Sequence, residues 1–91
     1  MAIDRNEIVG HVQELVAIVR PDLQSSEIQE ASSLGTLGLD SVNLVELGVR
    51  LEQIFGNTVV LDNWIDQEAA RGADGYTVGS LVDFIQKSLA N

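Results

Sequence analysis

The stretch Leu37-Gly38-Leu39-Asp40-Ser41-Val42 runs directly into the apolar-periodic segment Asn43 to Phe55, and its reading decides the fold. Asp40 is a residue type that caps helices by accepting from an orphan first-turn amide, and Gly56-Asn57 is a stop signal, so a helix is predicted from about Ser41 to Phe55. Advancing about 100° per residue from Ser41, the side chains of Leu44, Leu47, Leu51, Ile54 and Phe55 gather on one arc, the face expected to meet a core. Val42, Val45 and Val49 form a second arc roughly 40–100° round from Ser41, beside Glu46 and Gln53, with Glu52 almost in line with the serine. A globular helix ordinarily carries one apolar stripe, so the second cluster calls for a partner.

Working outward, Asp4 and Glu7 read as a capping box for a first helix from about Arg5 to Val19, whose Ile8, Val12, Leu15, Val16 and Val19 share one face. Pro21 ends it by disfavouring helical geometry at Arg20. From Pro21 to Asp40 an ordered loop is expected, with Leu23, Ile28, Leu34, Leu37 and Leu39 draped over the core and one turn at Ser25-Ser26-Glu27. Beyond Gly56, Thr58-Val59-Val60-Leu61 reads as a packed connector, since a lone short strand would find nothing to pair with. Asp62 is expected to cap a short third helix, about Asn63 to Ala70, with Trp64, Ile65 and Ala69 inward. Gly72-Ala73-Asp74-Gly75 reads as a flexible turn, and Thr77 as the cap of a last helix from about Val78 to Leu89. There Leu81, Val82, Ile85 and Leu89 form the inner face and Phe84 a flank. The expectation is an all-α fold: one domain over residues 1–91, a small four-helix bundle with a short third helix and a long loop between helices 1 and 2.

Ninety-one residues suffice for one modest core. A net charge of −9 disfavours nucleic acid and anionic membranes and points to partners with basic patches. The chain has no cysteine, hence no disulfide framework, thiolate nucleophile or zinc-type cluster, and the cytoplasm is the expected compartment. Neither a signal-peptide pattern in the first thirty residues nor an apolar run of membrane-spanning length is found.

As a hydrolase nucleophile Ser41 would need a general base, and the single histidine, His11, is not aimed at it by anything in the sequence. A Gly-x-Ser-x-Gly elbow, a phosphate-binding glycine loop, a His-Glu-x-x-His motif and a calcium loop are all absent, so no catalytic residue and no metal ligand is assigned. Three readings of Ser41 remain: a plain cap together with Asp40, a phosphorylation site, or an attachment point for a larger phosphate-linked group. Only the third also accounts for the valine arc beside it. The scattered acids read as solvated faces.

Gly38-Leu39-Asp40-Ser41 resembles the Asp-Ser-Leu attachment motif of acyl carrier proteins. The likeness extends through Leu34-Gly35-Thr36-Leu37-Gly38, Val45-Glu46-Leu47, Leu51-Glu52 with Phe55, and Tyr76-Thr77-Val78, in the family's helix order. It implies that Ser41 accepts 4′-phosphopantetheine from coenzyme A, that Asp40 helps present the serine and orient the transferase's metal and coenzyme A, and that the arm's thiol carries acyl groups as thioesters. It further implies that Val42, Glu46, Val49 and Glu52, with Val45 from the second arc, are read by partners: a phosphopantetheinyl transferase, then acyl-loading, condensing and tailoring enzymes. Such a chain is a monomer and not itself an enzyme.

Val42 replaces the family's usual leucine, and Asn43, Leu44 and Arg50 make this helix less acidic than in carriers of primary fatty acid synthesis. The segment Asp62 to Gly75 is also longer than in the shortest carriers, and an aspartate before the serine favours acyl over peptidyl carriers. A discrete carrier of a polyketide or hybrid natural-product pathway is therefore the expectation. The alternatives are a fatty-acid-synthesis or aminoacyl/peptidyl carrier, or a small acidic helical interaction module without a prosthetic group.

Overall fold

The computed structural model describes residues 4–72 and 75–90. It contains four helices: α1 (Arg5–Val19), α2 (Ser41–Phe55), α3 (Leu61–Ala69) and α4 (Val78–Ala90), with a 3₁₀ turn at Ser25–Glu27. No strand occurs among the described residues beyond a single antiparallel bridge between Ser33 and Thr77. The small all-α bundle with a short third helix is thus present, and none of its helices is long and apolar enough to cross a membrane. Ala73 and Asp74 of the expected turn lie outside the described residues.

α1 is buried through Ile8, Val12, Leu15, Val16 and Val19, the predicted face, and packs on both α2 and α4. Asp4 caps it through the Asn6 amide at 3.3 Å, rather than in the expected reciprocal box with Glu7. Leu81, Val82 and Ile85 of α4 are fully buried, and the Thr77 hydroxyl caps that helix by accepting from the Ser80 amide at 3.1 Å.

The segment between α1 and α2 is ordered by its leucines and by its backbone. Ile28, Leu34 and Leu39 are buried, with Leu23 and Leu37 packed against them. The Leu34 amide donates to the Tyr76 carbonyl (2.9 Å), the Val78 amide to the Ser32 carbonyl (2.9 Å), and the Gly79 amide to the Glu30 carbonyl (2.8 Å). The loop therefore satisfies part of its backbone by docking along the start of α4. Arg5 adds a surface tie, pairing with Glu30 of the loop and Asp83 of α4. The hydrogen bonds that it donates to Glu30 and, next, to Asp83 hold its guanidinium above the usual arginine range.

Two expectations about helix edges are corrected. α3 begins at Leu61, with Val60 at the cap position and no side-chain cap, so Asp62 lies inside the first turn. The helix starts earlier because Leu61 is 6% exposed and must sit against α2, which outweighs the capping preference of Asp62. The buried face of α3 runs through Leu61, Trp64 and Glu68, so Ala69, expected inward, is exposed and Glu68 faces in. On α2, Leu47 and Leu51 are buried, whereas Ile54, expected on the core face, is 45% exposed. It lies at the edge of the core arc, one residue before the helix ends at Phe55.

Candidate functional site

α2 opens as expected. Asp40 Oδ1 accepts from the Asn43 amide at 2.8 Å, and Asn43 Oδ1 accepts in return from the Asp40 amide at 3.0 Å. This reciprocal box leaves Ser41 as the first residue of the helix and not its cap, which corrects the reading of Asp40-Ser41 as joint caps. Ser41 is exposed, and among the described residues its hydroxyl makes no hydrogen bond. The amides of Ser41 and Val42 are likewise unengaged among them, so two first-turn donors remain free beside the hydroxyl while the Asp40 carboxylate takes the third.

The backbone before the serine is held by the loop's own hydrogen bonds and passes close to Arg20. The Leu39 amide donates to the Leu34 carbonyl at 3.0 Å, which returns the loop on itself. Gly38 adopts φ of 88° beneath the Arg20 guanidinium, whose Nη2 would lie 3.2 Å from a Cβ at that position. Arg20 is held in turn by Asp22 at 3.0 Å.

Behind the serine a groove of about 530 Å³ runs between α2 and α3. Ser41, Leu44, Val45, Gly48 and Val49 form one side, and Val59, Val60, Leu61 and Ile65 the other, with the Glu52 and Asp62 carboxylates also lining it. The close approach of the helices at its floor is permitted by Gly48, where a Cβ would lie 3.3 Å from the Cβ and Cδ2 of Leu61.

The second apolar arc is at the surface: Val42 is 74%, Val45 69% and Val49 51% exposed. Val60, which the sequence reading placed only in a connector, extends this surface at 41% exposure. Glu46 and Glu52 are exposed beside it, but Glu46 is drawn toward Arg50, whose Nε stands 3.4 Å from its carboxylate. Ser41, Val45, Val49 and Glu52 are brought together around the groove, whereas Val42 and Glu46 belong to the outer surface of α2.

His11 is far from the serine. Its ring meets Phe55 edge-on at 5.6 Å, and Phe55 closes α2 about 21 Å along the axis from Ser41. The structure therefore does not assemble a serine–histidine pair. No group of three or more histidine, cysteine, aspartate or glutamate side chains that could hold a metal ion occurs among the described residues. A second cleft of about 340 Å³ between α3 and α4 contains Trp64, Glu68, Arg71 and Lys87 and none of the residues just described.

Comparison with protein-family models, characterised proteins and solved structures finds no match for the chain.

Proposed function

We propose that the chain is an acyl carrier protein, modified at Ser41 with 4′-phosphopantetheine. The observation that carries this reading is the unengaged Ser41 hydroxyl: it is exposed on the first turn of α2, while Asp40 and Asn43 do all the side-chain capping. A serine kept only as a cap would be expected to accept from a first-turn amide. The residues present suit the group. An exposed alcohol is accessible to a transferase, the free amides of Ser41 and Val42 suit a phosphodiester oxygen, and the apolar groove begins at the same residue.

In the transfer the Ser41 oxygen forms a bond to phosphorus, the pyrophosphate linkage of coenzyme A breaks, adenosine 3′,5′-bisphosphate leaves, and the hydroxyl proton passes to the transferase or solvent. Asp40 keeps its second carboxylate oxygen for the transferase side of that encounter. The bound group supplies a thiol to a chain that has none of its own, for carrying acyl intermediates as thioesters. Val42, Val45 and Val49 with Glu46 and Glu52 then serve as the surface read by the transferase and by acyl-loading, condensing and tailoring enzymes. The sparse acidity of α2 and its pairing of Glu46 with Arg50 favour a carrier of polyketide or related secondary metabolism over one of primary fatty acid synthesis. The chain is a substrate of its partners rather than a catalyst.

The test is intact-mass measurement after incubation with coenzyme A, magnesium and a broad-specificity transferase. A gain of one phosphopantetheine in the folded wild type, absent in Ser41→Ala, is expected; no gain in the wild type would sink the reading. The exposed valines also favour a second reading, an interaction module without a prosthetic group. That module would keep its partner binding in Ser41→Ala and lose it in Val49→Asp, whereas a carrier loses function in both.

A further inference from the structure

Glu68 is a carboxylate that folding removes from water, at 2% exposure, and nothing in the proposed carrier function uses it. A buried carboxylate needs hydrogen bonds to replace its lost hydration. Here Oε1 accepts from the Tyr76 amide at 2.9 Å, and Arg71 Nε lies 3.2 Å from Oε2. Tyr76 holds φ of 63°, a left-handed conformation that a tyrosine adopts only when its surroundings impose it. Gly75 provides the room, since a Cβ there would lie 2.7 Å from the Glu68 carbonyl oxygen.

From Tyr76 the bonds continue toward Ser41. The Tyr76 carbonyl accepts from the Leu34 amide at 2.9 Å, and the Leu34 carbonyl accepts from the Leu39 amide at 3.0 Å. Leu39 is followed directly by the Asp40 cap and Ser41. We infer that Glu68 is a positioning residue for Ser41, holding Tyr76 in its left-handed conformation so that the Leu34–Leu39 turn is fixed in place. Without the carboxylate Tyr76 relaxes, its carbonyl turns away from Leu34, and the loop that presents the serine loosens. The consequence for modification rests on the reading of Ser41 as the attachment site; the mechanical connection does not.

Amide hydrogen exchange on the full chain tests the connection, with rates taken relative to the buried Val12 amide so that global loosening divides out. In Glu68→Ala the Tyr76, Leu34 and Leu39 amides exchange about tenfold faster or more. Glu68→Gln retains an oxygen for the Tyr76 amide and restores most of the protection. Glu68→Met, which fills the volume without an acceptor at that position, takes the place of Glu68→Ala if the alanine variant does not fold. The kcat/KM of a transferase for Ser41 falls in the acceptor-free variant and recovers in Glu68→Gln. Unchanged Leu39 exchange without the acceptor, equal loosening in both variants, or undiminished transfer despite loosening overturns the inference. If the wild type accepts no phosphopantetheine, the Ser41 reading fails, and the exchange comparison still decides whether Glu68 holds Leu39.

Discussion

Gly48 and Leu61 set the spacing of α2 and α3 at the groove: a methyl on Gly48 would stand 3.3 Å from both the Cβ and the Cδ2 of Leu61. Two effects compete in Gly48→Ala. Replacing a mid-helix glycine gains about 1 kcal/mol of helix propensity, and moving Leu61 by a few tenths of an ångström opposes it. Gly48→Ala is expected to remain within about 1 kcal/mol of wild type. Gly48→Leu overfills the contact and should lose about 1–3 kcal/mol. Urea denaturation distinguishes the two; a leucine variant as stable as wild type would mean that α3 moves freely away from α2.

The division of labour between Asp40 and Ser41 predicts opposite outcomes for their alanine variants. Asp40→Ala removes the acceptor for the Asn43 amide and half of a reciprocal pair, and should lower stability by about 1 kcal/mol. Ser41→Ala removes a hydroxyl with no partner among the described residues, and its stability should stay within about 0.5 kcal/mol of wild type while phosphopantetheine incorporation is abolished. Thermal unfolding of both variants, with intact mass after incubation with transferase, checks the pair. A Ser41→Ala protein as destabilised as Asp40→Ala would return the serine to a structural role.

The helices that carry strong apolar periods were legible in the sequence: α1 and α2 have the predicted bounds because Asp4, Pro21, Asp40 and Gly56 punctuate them unambiguously. The error in α3 is one of register. Leu61, Trp64, Ile65 and Glu68 fall at i, i+3, i+4 and i+7, so starting the helix at Leu61 also predicts that Glu68 faces inward. Reading Asp62 as a cap concealed both, since a local capping preference of about 1 kcal/mol is smaller than the gain from burying a leucine against Gly48. Ser41 and its valine neighbours were visible because they depart from a single-stripe helix. The partner of Glu68 was not visible, since no residue type signals a tyrosine with positive φ.

Arg50 is predicted to temper the electrostatics of the valine surface. Its Nε lies 3.4 Å from the Glu46 carboxylate, one turn away, so of the two α2 acids beside the valines Glu52 alone is free of an ion pair among the described residues. Binding of a transferase with a basic patch should weaken as salt rises, but only modestly. Arg50→Gln releases Glu46 and should steepen that dependence, while Val49→Asp abolishes binding at every salt concentration by charging the apolar surface. Titrations at low and high ionic strength compare the slopes. An Arg50→Gln slope equal to that of wild type would place Glu46 outside the contact.

Gly38 presents two obstacles to a side chain, and a double-mutant cycle separates them. Its φ of 88° is left-handed, which costs a non-glycine residue roughly 1–2 kcal/mol. A methyl would also approach Arg20 Nη2 at 3.2 Å. That atom ends a flexible side chain tied to Asp22 by an exposed ion pair, so it can yield at little cost. The backbone term should therefore dominate. Gly38→Ala is expected to lose about 1–2 kcal/mol in urea denaturation, and Arg20→Ala in the same chain should not recover it. Gly38→Asn should lose less, because asparagine tolerates the left-handed region. Substantial recovery in the double variant would instead identify the Arg20 guanidinium, close to Gly38 in the loop that leads to Ser41, as the element that requires glycine there.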